Sequence, residues 1–286
     1  MIKFNNDDII KICELYKNGL TTYKLAEMFN VSRWKISNIL HKNNIVVNNN
    51  KDIYKKYSCQ LDYFKEIDSE EKAYWLGFIY ADGYVTEKCF GIALSIIDKD
   101  HLEKFLRCIN SNDKVRIYND NKGLSKKDGK IARIQIYNKS FREELMKHGV
   151  VYHKSNIKKP PKIKNDLIRH FIRGYIDGNG SLYKSKNKFN YNYNYYLSIT
   201  STYDMLFYIH QYLRNNNLTH KNFVFKKRKP TDTVGYIRYA GNIQFYNIMN
   251  HIYKDAKIYL DRKYNIYQEF INNYKGRVGV VWIIII

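Results

Sequence analysis

Cysteine is scarce in this 286-residue chain, and its four cysteines, Cys13, Cys59, Cys89 and Cys108, form no CxxC pair. None has a histidine nearby at zinc-site spacing, and the eight histidines are dispersed. The sequence also lacks an apolar run of membrane-spanning length. These absences argue against a zinc module, a disulfide framework and a membrane segment. We therefore expect reduced cysteines in an intracellular protein.

Acidic residues are also few, because 27 Asp and Glu face 49 Lys and Arg and leave a formal net charge of +22. Such an excess indicates a polyanionic partner. Aromatic residues make up 16% of the chain, mostly as 28 tyrosines interleaved with the cations, and such surfaces suit sugar-phosphate backbones and bases. A genome rich in A and T would favour the same Lys and Tyr codons, so composition alone leaves both causes open.

Residues 1–45 form a unit of their own, for which the apolar spacing predicts three short helices. Gly19 ends the first helix, Thr21 or Thr22 caps the second, and Ser32 caps a third that runs to about Lys42. The predicted core comprises Leu25, Ala26, Phe29, Val31, Ile36 and Ile39.

This arrangement resembles a helix-turn-helix whose third helix reads DNA. Its candidate contacts with the major groove or its phosphates are Ser32, Arg33, Lys35 and Asn38. A three-helix bundle that binds nothing has much the same apolar spacing, so the pattern leaves that alternative open. The polar, Lys-rich residues 46–67 that follow are predicted to be a linker.

Two stretches of the remaining chain are copies of one motif: WLGFIYADG at Trp75–Gly83 and IRGYIDGNG at Ile172–Gly180. Both are predicted to be helical, with Asp68 or Ser69 as the cap of the first. Small residues recur at helical spacing, so the two helices are expected to pack with their backbones unusually close; these residues are Ala73, Gly77, Ala81, Gly174 and Gly178.

The strand and helix patterns behind each motif also repeat, which indicates a duplicated α-β-β-α-β-β-α unit over residues 68–160 and 161–275. In the second copy the predicted order is Leu197–Thr200, Met205–Leu213, Phe223–Phe225, Tyr236–Tyr239 and Ile243–Ile252. Residues 276–286 form an apolar tail, predicted to be a last strand or an incidental end.

With these motifs and strands, residues 68 to 272 resemble the LAGLIDADG homing endonuclease family in its single-chain, two-repeat form. The resemblance implies an α+β fold in which the motif helices pack at a pseudo-dyad. It also implies that each repeat's antiparallel, saddle-shaped sheet curves over the major groove of double-stranded DNA.

The resemblance further implies a divalent metal, Mg²⁺ or another such as Mn²⁺, near the scissile phosphate. The matching positions are Asp82 in the first copy and Asn179 in the second, with Gly178 beside it. Asn179 brings no charge and is a weaker Mg²⁺ ligand than a carboxylate. Asp177 precedes it by two residues, about 200° around the helix, and is expected to point elsewhere.

Other positions match supporting residues of the family. Lys154 and Lys263 match its site lysines, which orient water or stabilise charge on phosphate, although either is equally a candidate for a solvated surface residue. Asp98 and Ser201 match polar residues that order water. Lys226, Lys227 and Arg228 are candidate phosphate contacts, and a solvated charge run is the alternative for them.

Three functions are compatible with these residues. The first is a DNA endonuclease of homing type with a long asymmetric site, and the second is a strand-specific nickase, because Asn179 replaces an acid. The third is a non-cutting protein that binds DNA or acts on intron RNA as a maturase. In each case we expect a monomer, with no membrane partner, located wherever its target lies: bacterial or virus-infected cytoplasm, nucleus or organelle matrix.

Overall fold

The computed structural model describes residues 4–17, 20, 22–45, 47, 58–120, 129–152, 159–186 and 193–278. The chain divides into two compact units, Met1–Tyr57 and Ser58–Ile286. Within the described ranges, none of the helices combines the length and apolar character that a bilayer crossing demands.

The first unit contains three helices: α1 (Asn6–Lys17), α2 (Thr22–Met28) and α3 (Arg33–Lys42). The predicted cap of α3 is confirmed, because the Ser32 side chain accepts a hydrogen bond from the backbone N–H of Lys35 at 3.4 Å. The fully buried core consists of Ile12, Leu25, Ile36 and Leu40, and the other predicted core residues pack against it.

The second unit begins with α4 (Glu70–Asp82), which Ser69 caps by accepting from the backbone N–H of Lys72. A four-stranded antiparallel sheet follows, in the spatial order β1-β2-β4-β3. Its elements in chain order are β1 (Gly83–Val85), β2 (Phe90–Ser95), a 3-10 turn at Ile96–Asp98, α5 (Lys99–Cys108), β3 (Arg116–Asn119), β4 (Lys130–Ile136) and α6 (Lys139–Lys147).

The second copy follows the same order after a 3-10 turn at Asn165–Leu167, with one regular strand fewer and one further helix. Its elements are α7 (Ile168–Asn179), β5 (Gly180–Lys186), β6 (Tyr193–Ser201), α8 (Tyr203–Asn215), β7 (Gly235–Ala240), α9 (Asn242–Tyr253) and α10 (Asp261–Val278). The strands form an antiparallel sheet in the order β5-β6-β7. The expected α+β architecture with two antiparallel sheets is therefore confirmed.

One predicted strand of the second copy is not regular. Around Phe223–Phe225 the structure has only an isolated bridge between Lys226 and Tyr236, whose backbone groups exchange hydrogen bonds of 3.0 and 2.7 Å. The apolar residues 223–225 are followed directly by a run of cations, and Phe223 and Phe225 pack against the core beside this single bridge. These apolar residues therefore pack on the core without forming a regular β-strand.

The segment predicted as a linker packs further than expected. Residues 48–57 lie outside the described residues, but Tyr63, Phe64 and Ile67 are buried in the main core. Three apolar side chains among lysines and acids carried too weak a signal to be recognised in the sequence. Of the apolar tail, Val278 ends α10, and residues 279–286 lie outside the described part of the chain.

Candidate active site

The two motif helices, α4 and α7, pack with their backbones in direct contact. A Cβ atom added at Gly77 would lie 2.0 Å from the carbonyl oxygen of Phe171, and one at Gly174 would lie 1.9 Å from that of Tyr74. At Gly178 it would lie 2.1 Å from Cβ of Ala81. Only glycine fits at such distances. The close packing expected from the small-residue spacing is thereby confirmed, and it brings the C-terminal ends of both helices together.

Asp82 is the last residue of α4, and its carboxylate reaches the end of the other helix. Its Oδ2 atom lies 3.3 Å from the point that a Gly178 Cβ would occupy. Asp82 and Asn179, the last residue of α7, are both half-buried. Each is followed at once by the first strand of its sheet. The site therefore holds a carboxylate from one repeat and an amide from the other.

The Asn179 amide belongs to a short chain of hydrogen bonds. Its Nδ2 donates to the Tyr175 hydroxyl at 3.2 Å, and that hydroxyl lies 2.5 Å from the Ser201 hydroxyl. Tyr175 and Ser201 are both buried. Burial raises the pKa of Tyr175 to about 12, so the hydroxyl stays protonated at neutral pH. The chain holds the amide nitrogen toward Tyr175 and leaves the amide oxygen on the other side. No motif in the sequence indicated this role of Tyr175.

Asp177, the acid that stands out in the second motif, is buried away from the site. Its carboxylate accepts hydrogen bonds from the Tyr74 hydroxyl at 2.7 Å, the backbone N–H of Leu260 at 2.8 Å and the Tyr253 hydroxyl. Burial raises its pKa, although Lys263 and these donors act in the opposite direction. As the helical geometry predicted, the carboxylate points elsewhere. It joins α4 to the chain that leads into α10.

Lys263 lies on the first turn of α10, where its buried ammonium covers the end of α7. Its Nζ donates to the carbonyl oxygens of Ile176 at 2.8 Å, Asp177 at 2.5 Å and Gly178 at 3.3 Å. Burial lowers the pKa of Lys263 to about 8, against the opposing influence of Asp177 and Asp82. A cation on the last carbonyls of a helix stabilises its negative end. As placed, Lys263 is a helix cap close to Asp82, and it is not a solvated surface residue.

The remaining predicted site residues fall in different settings. Asp98 is nearly buried and holds Arg262 through two hydrogen bonds of 3.2 and 2.9 Å, so both carboxylate oxygens meet a guanidinium. The sequence did not indicate that Arg262 is the partner of Asp98, because the two residues are far apart in the chain. Lys154 lies outside the described residues.

Each sheet also carries an arginine beside tyrosine rings on its outward row. On the outward row of β4, the Arg133 guanidinium lies 5.0 Å from the ring centroid of Tyr118. On β7, Arg238 lies 5.8 Å from the ring centroids of both Tyr183 and Tyr236. Cation–π contact holds such guanidinium groups in place while leaving their edges available to an anion. The predicted phosphate contacts Lys226, Lys227 and Arg228 are all exposed at the edge of the second sheet.

The candidate DNA contacts of the first unit are mostly engaged within the fold. Ser32 caps α3, Arg33 Nε donates to the Thr22 hydroxyl at 3.2 Å, and the Lys35 ammonium lies 5.0 Å from the ring centroid of Phe4. Asn38 is half-buried on α3. The sequence could place these residues on the third helix but could not show which way their side chains are drawn.

Among the described residues, no group of three or more His, Cys, Asp and Glu side chains is arranged to hold a metal ion. The side-chain oxygens at the paired helix ends belong to Asp82 and Asn179. Mg²⁺ is usually held by one or two carboxylates, with waters and substrate phosphates completing its shell. These residues therefore fit one Mg²⁺ or Mn²⁺ ion that a phosphate helps to hold. The Gly178 carbonyl is directed to Lys263.

No known protein-family model matches the chain, and no curated protein matches it. Several solved structures are similar to it. They include the I-LtrWI LAGLIDADG homing endonuclease bound to target DNA (TM-score 0.47, 13% identity, 76% of this chain and 92% of that chain covered). The LAGLIDADG homing endonuclease I-GzeII in complex with its DNA target has a TM-score of 0.48 and 10% identity, with 73% of this chain and 92% of that chain covered. The meganuclease I-SmaMI bound to uncleaveable DNA has a TM-score of 0.49 and 12% identity, with 71% of this chain and 90% of that chain covered. The likeness is one of architecture, and it is to LAGLIDADG homing endonucleases.

Proposed function

We propose that this chain is a metal-dependent, site-specific endonuclease that hydrolyses phosphodiester bonds in a long, asymmetric double-stranded DNA site. The observation that carries the proposal is the position of Asp82. Its carboxylate stands at the junction of the two repeats, directly before β1, with the Lys263 ammonium nearby. A single carboxylate at the centre of a strongly cationic protein suits one phosphate oxygen and one hard cation.

The asymmetry of the proposed DNA site follows from the two sheets. Their outward rows differ in sequence: Arg116, Arg133 and Tyr118 on the first, Tyr183, Tyr196 and Arg238 on the second. Arginine hydrogen-bonds guanine edges or phosphates, and tyrosine contacts bases or backbone. Two different rows, placed on either side of one pair of helices, favour a target whose halves also differ. The exposed run Lys226, Lys227 and Arg228 adds charge for the backbone of one half.

The residues at the helix ends have separable tasks in this proposal. Asp82 would hold the cation, which supplies neutralisation of the phosphodiester charge and acidification of an attacking water. Asn179 would offer a neutral oxygen for the site on the second DNA strand. Its hydrogen bond to the Tyr175 hydroxyl fixes the orientation of the amide. The buried Lys263 ammonium adds positive charge behind Asp82 and keeps the end of α7 in place. Asp98 and Arg262 neutralise each other at the start of α5 and α10.

A second candidate, a strand-specific nickase, is favoured by one observation. Among the described residues of α7, which ends in Asn179, Asp177 is the nearest carboxylate, and it is buried under three hydrogen bonds and so cannot replace Asn179. If each strand needs its own carboxylate, the strand served by Asp82 is cut much faster. The two candidates share the same site and differ only in the second cut.

The experiment that tests the proposal begins with selection of randomised duplexes by the full-length chain. The selected duplex is placed in a supercoiled plasmid, and both strands are followed in Mg²⁺. Linear product supports the two-strand endonuclease, while accumulation of open circle cut in one strand supports the nickase. Tight, salt-sensitive binding without any cut would overturn both, and would leave a DNA-binding protein; selection of structured RNA over duplex DNA would favour a maturase.

A further inference from the structure

The outward face of α3 carries a stripe that contains Asn38, one of the DNA contacts predicted from the sequence, and three residues that were not predicted. At about 100° per residue, Trp34, Ser37, Asn38 and His41 share one side of the helix, within roughly 100° of arc. The buried Ile36 and Leu40 lie on the opposite side. The stripe therefore faces away from the core of the first unit.

Trp34 is the most unusual member of this stripe, since 73% of its surface is exposed. Among the described residues it is the most exposed of the large apolar side chains, and an indole, with an apolar face and one N–H donor, is a side chain that favours interfaces. Its two chain neighbours, in contrast, are drawn sideways: Arg33 toward Thr22 and Lys35 toward Phe4.

The charge around the stripe identifies the chemistry of that partner. The sequence of α3, RWKISNILHK, contains no acidic residue. Arg33 and Lys35 flank the stripe on either side, and the exposed Lys42 follows it at the C-terminal end. A partner that is negative along two edges and offers flat, partly apolar groups between them is the major groove of duplex DNA.

We propose that the Trp34, Ser37, Asn38 and His41 stripe reads base edges in the major groove, with Trp34 against the C5-methyl group of a thymine. Asn38 is suited to the N6 and N7 atoms of an adenine. Four residues of helix rise about 6 Å, close to two base-pair steps, so the thymine and adenine lie within a few base pairs of each other. Arg33 and Lys35 contact the phosphates of the groove walls. The inference rests on the duplex DNA partner proposed above and is independent of cleavage.

The test uses the full-length chain and a duplex that it selects from a randomised pool. Each thymine in the segment bound by the first unit is replaced in turn by deoxyuridine, which removes only the C5 methyl group. At one position we expect a roughly three- to fivefold loss of affinity, the effect of one methyl group. The same replacement should have no effect on Trp34→Ala. Ile10→Ala, which removes another exposed apolar side chain of this unit, should keep the wild-type profile.

Different outcomes separate this inference from the proposed function. If Trp34→Ala binds as tightly as the wild type and keeps the same sensitivity to methyl removal, the inference is wrong while the DNA partner stands. If the chain selects no duplex, both are wrong. Circular dichroism of each variant shows that the helices are intact, as expected for side chains outside the core.

Discussion

The Tyr74 hydroxyl donates to the Asp177 carboxylate at 2.7 Å, which joins the first repeat to the second inside the protein. Because that hydroxyl has one proton, the contact of 3.1 Å between the Tyr74 oxygen and His101 Nε2 requires the imidazole to donate. Burial lowers the pKa of His101 to about 3, so the ring is neutral and carries its proton on Nε2. Its Nδ1 is buried without a hydrogen-bond partner. A buried network therefore fixes the protonation of three residues at once.

Acid is expected to destabilise the protein through His101. Burial lowers the pKa of His101 to about 3 from an ordinary value of 6.5. Between these values the unfolded chain binds a proton that the folded chain does not, so unfolding free energy falls as the pH drops from 6.5 to 3. The full effect has an upper limit of about 5 kcal/mol. Urea unfolding at several pH values should show a shallower decline for His101→Phe than for the wild type.

The two acids near the end of the motifs are expected to behave in opposite ways on substitution. Asp177→Asn should lower the unfolding free energy by about 2–3 kcal/mol, because an amide nitrogen would face donors from Tyr74, Tyr253 or Leu260. Asp82→Asn should leave stability nearly unchanged and abolish cleavage while DNA binding remains. Chemical unfolding and plasmid cleavage on the same two proteins check this. Full activity in Asp82→Asn would exclude the proposed role of Asp82.

The helix contact predicts an unusual sensitivity to a single methyl group. Gly77→Ala and Gly174→Ala each place Cβ about 2 Å from a carbonyl oxygen of the facing helix, so α4 and α7 must separate. We expect losses of about 3 kcal/mol or more in unfolding free energy. Gly241→Ala is the control, because nothing lies within 4 Å of its added Cβ and only its positive φ of 96° opposes the change. Equal losses in all three variants would contradict the close contact.

Asn179→Asp is expected to restore a second carboxylate at the helix ends. If the chain is a nickase, the variant should cut the slower strand at least about tenfold faster, because a barrier reduction of about 1.4 kcal/mol suffices for that factor. Asn215→Asp adds the same charge on an exposed position of α8 and should change neither strand. Time courses on strand-labelled duplexes give both rates. A wild type that already cuts both strands equally would remove the need for this acid.

Tyr175→Phe tests the hydrogen bond that orients the Asn179 amide. The variant keeps the ring in the core but removes the hydroxyl that holds the Asn179 amide and meets Ser201. We expect a higher Mg²⁺ concentration for half-maximal cleavage, with little change in maximal rate. Phe78→Leu, a change in the equivalent buried position of the first motif, controls for altered packing. A magnesium dependence unchanged from the wild type would mean that the amide needs no such support.

Features set by neighbours in sequence were largely predictable. The glycine spacing predicted the contact between α4 and α7, and Ser32 was identified as a cap from its position alone. The position of Asp177 on the helix was enough to exclude it from the site. In each case the signal is a short-range periodicity that survives in one sequence.

What could not be predicted depends on partners far away in the chain. Nothing local to Asp177 indicates Tyr253 or Leu260, and nothing near Asp98 indicates Arg262. Likewise, the sequence placed Arg33 and Lys35 on a helix but not against Thr22 and Phe4. A side chain's direction follows from tertiary packing, which a cation-rich composition does not reveal.

The glycine contact between α4 and α7 also limits how such a protein can be recombined. Because the helices meet through backbone atoms, exchanging one repeat for a foreign one preserves this helix contact if the small residues are retained. It must also retain Tyr74 opposite Asp177, since either alone would leave a polar group without its partner. The polar links Asp98 to Arg262 and Glu70 to Arg173 also join the two repeats and have to be kept. Chimeras with altered specificity should therefore preserve the helix contact and these three polar pairs, with the sheets as the exchangeable parts.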